Sequence, residues 1–101
     1  MLLTASLAFG QAEEATLLYN WQNDDITPTG WLGGRYNDTW GVEINDREIA
    51  IMGSTDGVHF FDVTEGADAV ELADAFVPGA ADGSNLLHRD YHSYGNYLYT
   101  V

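Results

Sequence analysis

Val58-His59-Phe60-Phe61-Asp62-Val63-Thr64 is a short apolar strand that runs straight into a turn-forming Asp-Val-Thr end. Two further strand–turn–strand units flank it, and the second reads as a partial copy of the first. A strand unit that recurs along a chain cannot bury its apolar face alone; a neighbour must cover it. This constraint selects an all-β fold of antiparallel four-stranded blades, incomplete in this chain.

The rest of the chain supplies the punctuation. Thr16 to Trp21 is rich in β-favouring and aromatic residues and is expected to be a strand. A polar loop follows to Gly34, broken by Asp24, Asp25, Pro28, Gly30, Gly33 and Gly34. Trp40 to Ile44 and Ile49 to Met52 are strands joined by a hairpin turn at Asn45-Asp46-Arg47-Glu48. Ser54-Thr55-Asp56-Gly57 is a second turn, with Gly57 free to take positive φ. Val58 to Val63 is the next strand. Val70 to Val77 is read as a fourth strand, although Ala69, Val70, Ala73, Phe76 and Val77 also fit a helical stripe. Leu87 to Tyr94 and Tyr97 to Val101 form a last hairpin around Gly95-Asn96. Ile49 and Tyr97, 48 positions apart, are matched points of the two copies; propeller blades repeat at roughly 40–50 residues. The expected divisions are a signal-peptide remnant over 1–10, an N-terminal strand and loop over 11–34, a first blade over 35–79 and the start of a second over 80–101. The last strand has no turn or cap after it, which predicts a fragment whose own remaining chain completes the fold.

Composition narrows function by exclusion. Sixteen acidic residues face three arginines and no lysine, a formal charge of −13. Such a chain is repelled by nucleic acid and by anionic membranes. No cysteine is present, so disulfides, thiolate zinc sites and a cysteine nucleophile are excluded. Met1 to Gly10 reads as the apolar part of a signal peptide with cleavage before Gln11, and it is too short to span a bilayer.

Together the segments resemble a known family. Val58 to Thr64 is similar to the LVIVD repeat, an apolar strand ending in Asp-Ile/Val-Ser/Thr. Gly34 to Gly41, Gly53 to Phe60, Phe76 to Gly79, Arg89-Asp90 and Tyr94 to Tyr97 resemble the N-terminal part of the choice-of-anchor B family of secreted bacterial proteins. The resemblance covers about Thr16 to Val101. It implies a β-propeller-like, exported repeat protein and transfers no catalytic residue. The repeat usually carries two prolines after its Asp-Val-Ser/Thr end; here Glu65-Gly66-Ala67-Asp68-Ala69 replaces both.

The expected core is Trp40, Ile44, Ile49, Ile51, Phe60 and Val63, with Phe61 and Tyr97 as further positions. For metal, the candidates are His88, Asp90 and His92, which share one face of a strand, and Asp38, which matches Asp90 in the first copy. A repeated Asp before a strand also satisfies backbone N–H groups in a tight loop, so structural use competes with calcium, where Asp24, Asp25 and Asp56 could assist. Ser54 and Ser93 sit in no Gly-x-Ser-x-Gly elbow, and Gly33-Gly34 is no phosphate loop. The aromatic residues suit either a packed core or a carbohydrate face. The expected function is a non-catalytic secreted or cell-surface scaffold that contacts protein or glycan, with no organic cofactor. The alternative is the N-terminal part of an extracellular hydrolase or metal-dependent enzyme whose active site lies elsewhere.

Overall fold

The computed structural model describes residues 14–79 and 89–101. The chain is all-β, with two antiparallel sheets. The first contains β1 (Tyr36–Ile44), β2 (Arg47–Ser54), β3 (Gly57–Asp62) and β4 (Val70–Glu71) in that order, with β5 (Val77–Pro78) also paired to β3. The second is the hairpin β6 (Tyr91–Tyr94) and β7 (Tyr97–Thr100).

The turns follow from their residues. Asn45 and Asp46 both take positive φ, at 51° and 60°, the I′ pattern that matches strand twist and that Asn and Asp tolerate. Gly95 supplies the positive φ of the second hairpin, at 58°. Gly57 was expected to do the same, but its φ is not positive. It is required by crowding: a Cβ there would run into the Val77 carbonyl and the Phe76 ring. Aligning the two hairpin turns matches Arg47 with Tyr97 and Ile49 with Tyr99, so the copies are offset by two residues from the sequence-based alignment.

Register decides the faces. Pairing of Ile51 with Trp40 and Phe60, and of Ile49 with Val42 and Asp62, puts these side chains on one face. The hairpin lies against it. Ile49, Ile51, Val58 and Tyr91 form the buried core, with Val42, Phe60, Leu72 and Leu98 packed around them. Each buried aliphatic side chain contributes about 1.5–3 kcal/mol. Trp40 (36% exposed), Ile44 (52%) and Tyr97 (70%) are not core residues. Trp40 and Ile44 point to the correct face, but the four-residue strands of the hairpin do not cover it all. Phe61 is buried on the opposite face.

Two strand expectations are corrected. Thr16 to Trp21 is irregular. Its Leu17-Leu18-Tyr19 run has no period-two pattern, and those three side chains are exposed; the segment crosses the sheet face as an arm anchored by Trp21. Val70 to Val77 is neither an unbroken strand nor a helix. It pairs with β3 at both ends and leaves the ladder between them through a 3₁₀ turn at Ala73–Ala75. Leu87 and His88 lie outside the described residues.

The Asp62-Val63-Thr64 end works as a clasp. Asp62 accepts the Thr64 N–H at 3.1 Å, and Thr64 Oγ1 accepts the Glu48 N–H at 2.9 Å. Val63 donates to the Glu48 carbonyl at 2.9 Å. Arg47 closes the clasp through an ion pair with Asp62. The Arg47 hydrogen bond, followed by that from Thr64, holds the Asp62 carboxyl down to about 2. A carboxyl depressed in the folded state stabilises it above the unfolded pKa and loses that contribution on acidification. The urea midpoint is therefore expected to fall between about pH 4 and about pH 2, and Asp62→Asn should remove that component.

Candidate functional site

The first sheet aligns Ser54, His59 and Glu71 on the face covered by the arm. Ser54 ends β2 and His59 lies in β3, beyond the turn; the register that pairs Met52 with His59 puts both on one side. Glu71 reaches the same side because it pairs with Phe61. Ser54 Oγ lies 2.8 Å from His59 Nε2, and His59 Nδ1 lies 3.3 Å from Glu71 Oε1. Glu71 Oε2 accepts the Trp21 indole N–H at 3.0 Å. Trp21 and Phe76 rings enclose the imidazole, with centroids 5.0 and 4.8 Å away.

Counting lone pairs fixes the proton positions. Ser54 Oγ accepts the N–H groups of Asp56 and Gly57, both at 3.2 Å. A hydroxyl has two acceptor lone pairs, so both are occupied; of the two acceptors its proton can reach, the Gly57 carbonyl at 3.4 Å and His59 Nε2 at 2.8 Å, the nearer is the imidazole nitrogen. Nδ1 then carries the ring proton and donates to Glu71. This is the hydrogen-bond direction of a serine-hydrolase triad. Access decides against that use. Ser54 is 0% exposed and His59 6%, and the lone pairs a nucleophile would need already hold the turn. The chain of bonds pins the Ser54–Gly57 turn to β4 and to the arm.

Sequence reasoning missed His59, Glu71 and Trp21 as a group. The available signal was parity: Ser54 and His59 fall on one face once the turn between them is placed. Glu71 could not be assigned while the fourth strand remained ambiguous.

Of the metal candidates, Asp38, Asp90 and His92 lie among the described residues, and each has a separate local setting. Asp38 is the bulge residue of β1, with φ 44°, and its carboxylate accepts the Thr39 N–H at 2.9 Å. Asp90 precedes β6, and its carbonyl accepts the Val101 N–H at 3.2 Å. His92 packs on Trp40, ring centroids 6.0 Å apart. His88 lies outside the described residues. Among the described residues, no group of three His, Asp or Glu is arranged to hold a metal. Asp24 accepts the Gln22 side-chain amide N–H at 2.6 Å, Asp56 lies in the turn, and Ser93 receives the Trp40 indole N–H at 3.4 Å. No described helix is long and apolar enough to cross a membrane.

Tyr91 is the other unusual group. Its buried hydroxyl has no partner among the described residues. It fits against β2 because position 53 is glycine; a Cβ there would lie 2.6 Å from the hydroxyl. Burial pushes the phenol up to about 12, with Asp38 acting in the same sense and Arg89 opposing it.

The exposed features lie elsewhere. Pairing of His92 with Tyr99 and of Tyr94 with Tyr97 collects four rings on the outer face of the hairpin. Tyr94, Tyr97 and Tyr99 are largely exposed. Beside them, a groove of about 620 Å³ separates the end of β1 from the β6–β7 turn, lined by Glu43, Ile44, Asn45, Asn96, Tyr97 and Leu98 among others. A comparison with known proteins finds no matching family model, curated protein or solved structure.

Two outcomes test this account of the buried groups. Ser54→Ala leaves two turn N–H groups and an imidazole nitrogen unpaired, and should cost about 1–3 kcal/mol in urea unfolding. For Tyr91, a raised phenol pKa means stability that is complete below about pH 10 and is lost as pH rises toward about 12. Subtracting the phenolate titration of Tyr91→Phe from that of the parent should place the missing phenol at about 12.

Proposed function

We propose that this chain is part of a non-catalytic, secreted or cell-surface repeat scaffold that presents its surface to a binding partner, in the manner of the LVIVD-repeat, choice-of-anchor B proteins it resembles. The observation that carries this reading is the mode of burial. The apolar face of the first sheet is covered over Ile49, Ile51 and Val58 by a second antiparallel hairpin laid upon it. The outer face of that hairpin again carries large rings, of which Tyr94, Tyr97 and Tyr99 are largely exposed. Face-to-face stacking of this kind is what the blades of a propeller-like array require, and on this reading a further sheet on the tyrosine face would continue it.

The competing hydrolase reading draws on the direction of the Ser54–His59–Glu71 hydrogen bonds. The scaffold reading takes precedence because the hydroxyl is sealed and both its lone pairs are engaged. Incubation of the folded chain with a fluorophosphonate, followed by mass spectrometry, separates the two. No adduct is expected. A Ser54 adduct that disappears in His59→Ala would overturn the scaffold reading in favour of a hydrolase.

A further inference from the structure

We propose that protonation of His59 releases the Asp56 N–H from the Ser54–Gly57 turn and so weakens the hold of Arg89 on it, which makes the buried polar chain a proton-driven latch between the first sheet and the hairpin. The inference goes beyond the scaffold reading and does not depend on it.

The latch follows from a count of donors. With the imidazole neutral, Nε2 accepts the Ser54 proton at 2.8 Å, and the two Ser54 lone pairs hold the Asp56 and Gly57 N–H groups. A proton added at Nε2 turns that nitrogen into a donor. The Ser54 proton then swings to its other acceptor, the Gly57 carbonyl at 3.4 Å. Three donors are left facing two lone pairs. Glu71 keeps the charged ring in place, because its Oε1 already lies 3.3 Å from Nδ1 and charge strengthens that bond. The turn gives way, and the ring stays.

Exposure decides which donor is released. The Gly57 N–H is buried, and left unpaired it would bear the full cost of desolvation. Asp56 is exposed, so water can take its N–H. That N–H belongs to the same rigid peptide plane as the Thr55 carbonyl. The Thr55 carbonyl accepts Arg89 Nη2 at 3.3 Å, and the Ser54 carbonyl accepts Arg89 Nε at 2.7 Å. Once the plane is free to turn, Arg89 keeps the Ser54 contact and loses the one to Thr55. Arg89 stands two residues before β6, so a proton on β3 is felt where the hairpin begins.

The other titratable or charged groups described around the ring are Glu71 on β4, Asp56 in the turn and Arg89 at the hairpin entry. The arm contributes the Trp21 ring, with the Tyr36 phenol of β1 behind it, and Phe76 closes the other side. Imidazole is the side chain whose charge ordinarily changes between about pH 5 and about pH 8, so the latch is read in that range.

The test is NMR of the labelled full chain between about pH 7.5 and about pH 5. His88→Gln with His92→Gln leaves His59 as the single histidine of the three. As the ring nitrogens of His59 report the change of Nε2 from acceptor to donor, Asp56 amide exchange, corrected for its intrinsic pH dependence, is expected to rise about two- to tenfold, the worth of one hydrogen bond. The Arg89 side-chain N–H groups should exchange faster over the same range, while Gly57 changes by less than about twofold. Ser54→Ala, which lacks the shared oxygen, should show no acid-dependent step at Asp56; the spectra with Ser54 intact decide alone if that variant does not fold. An unchanged Asp56 amide while His59 charges, release of Gly57 in its place, an equal rise throughout the first sheet, an unchanged Arg89, or a His59 that stays neutral down to about pH 5 would each overturn the inference.

Discussion

The four-residue turn from Ser54 to Gly57 ties the structure together, because Thr27, the entry to β1, the residue after β5 and the entry to the hairpin are all bonded to it. Thr55 donates its side chain to Thr27 in the arm and its N–H to Arg35. Arg89, at the entry to the hairpin, reaches back to the Ser54 and Thr55 carbonyls. Gly79, following β5, donates to the Asp56 carbonyl at 2.8 Å. Within the turn, Ser54 accepts the Asp56 N–H and the buried Gly57 N–H; leaving the latter unpaired would be among the costlier defects a fold can contain. Sequence separation therefore says little about mechanical separation here: arm, sheet and hairpin meet at one loop.

The polar chain behind that loop shows how the same atoms can suggest opposite functions. Serine, histidine and glutamate in hydrogen-bonded series are the parts of a nucleophilic site. Enclosed by Trp21 and Phe76 and fully bonded, they instead fix one arrangement of a core. What separates the cases is the occupancy of the serine lone pairs and the absence of exposed surface on its oxygen. The outer face of the hairpin is the reverse case: Tyr94, Tyr97 and Tyr99 remain in the open among the described residues, where they have packing capacity to spare.

The local grammar of the chain was legible. Asn45-Asp46 and Gly95-Asn96 mark hairpins because few residues accept positive φ, and the Asp62-Val63-Thr64 end declares its clasp through short polar side chains that bond their own backbone. Ile49 and Ile51 were identifiable as core from alternation alone. Alternation assigned Trp40 and Ile44 to the correct face but could not say how far the covering hairpin extends. Gly57 was read as a conformational glycine, whereas close approach by Val77 and Phe76 is a tertiary fact. Trp21 lay in an apparent strand, and its actual role depends on Glu71, fifty positions away. Pairs that meet only through folding leave no local trace in one sequence.

The arm has a consequence for growth. Trp21 packs on one side of the first sheet, against Tyr36, His59 and Phe61, while among the described residues Tyr94, Tyr97 and Tyr99 stay largely exposed on the far side of the hairpin. The two ends of the stack are thus unlike. One carries its own leading segment and the other carries open rings, so a stack of the kind proposed would add layers in a single direction only.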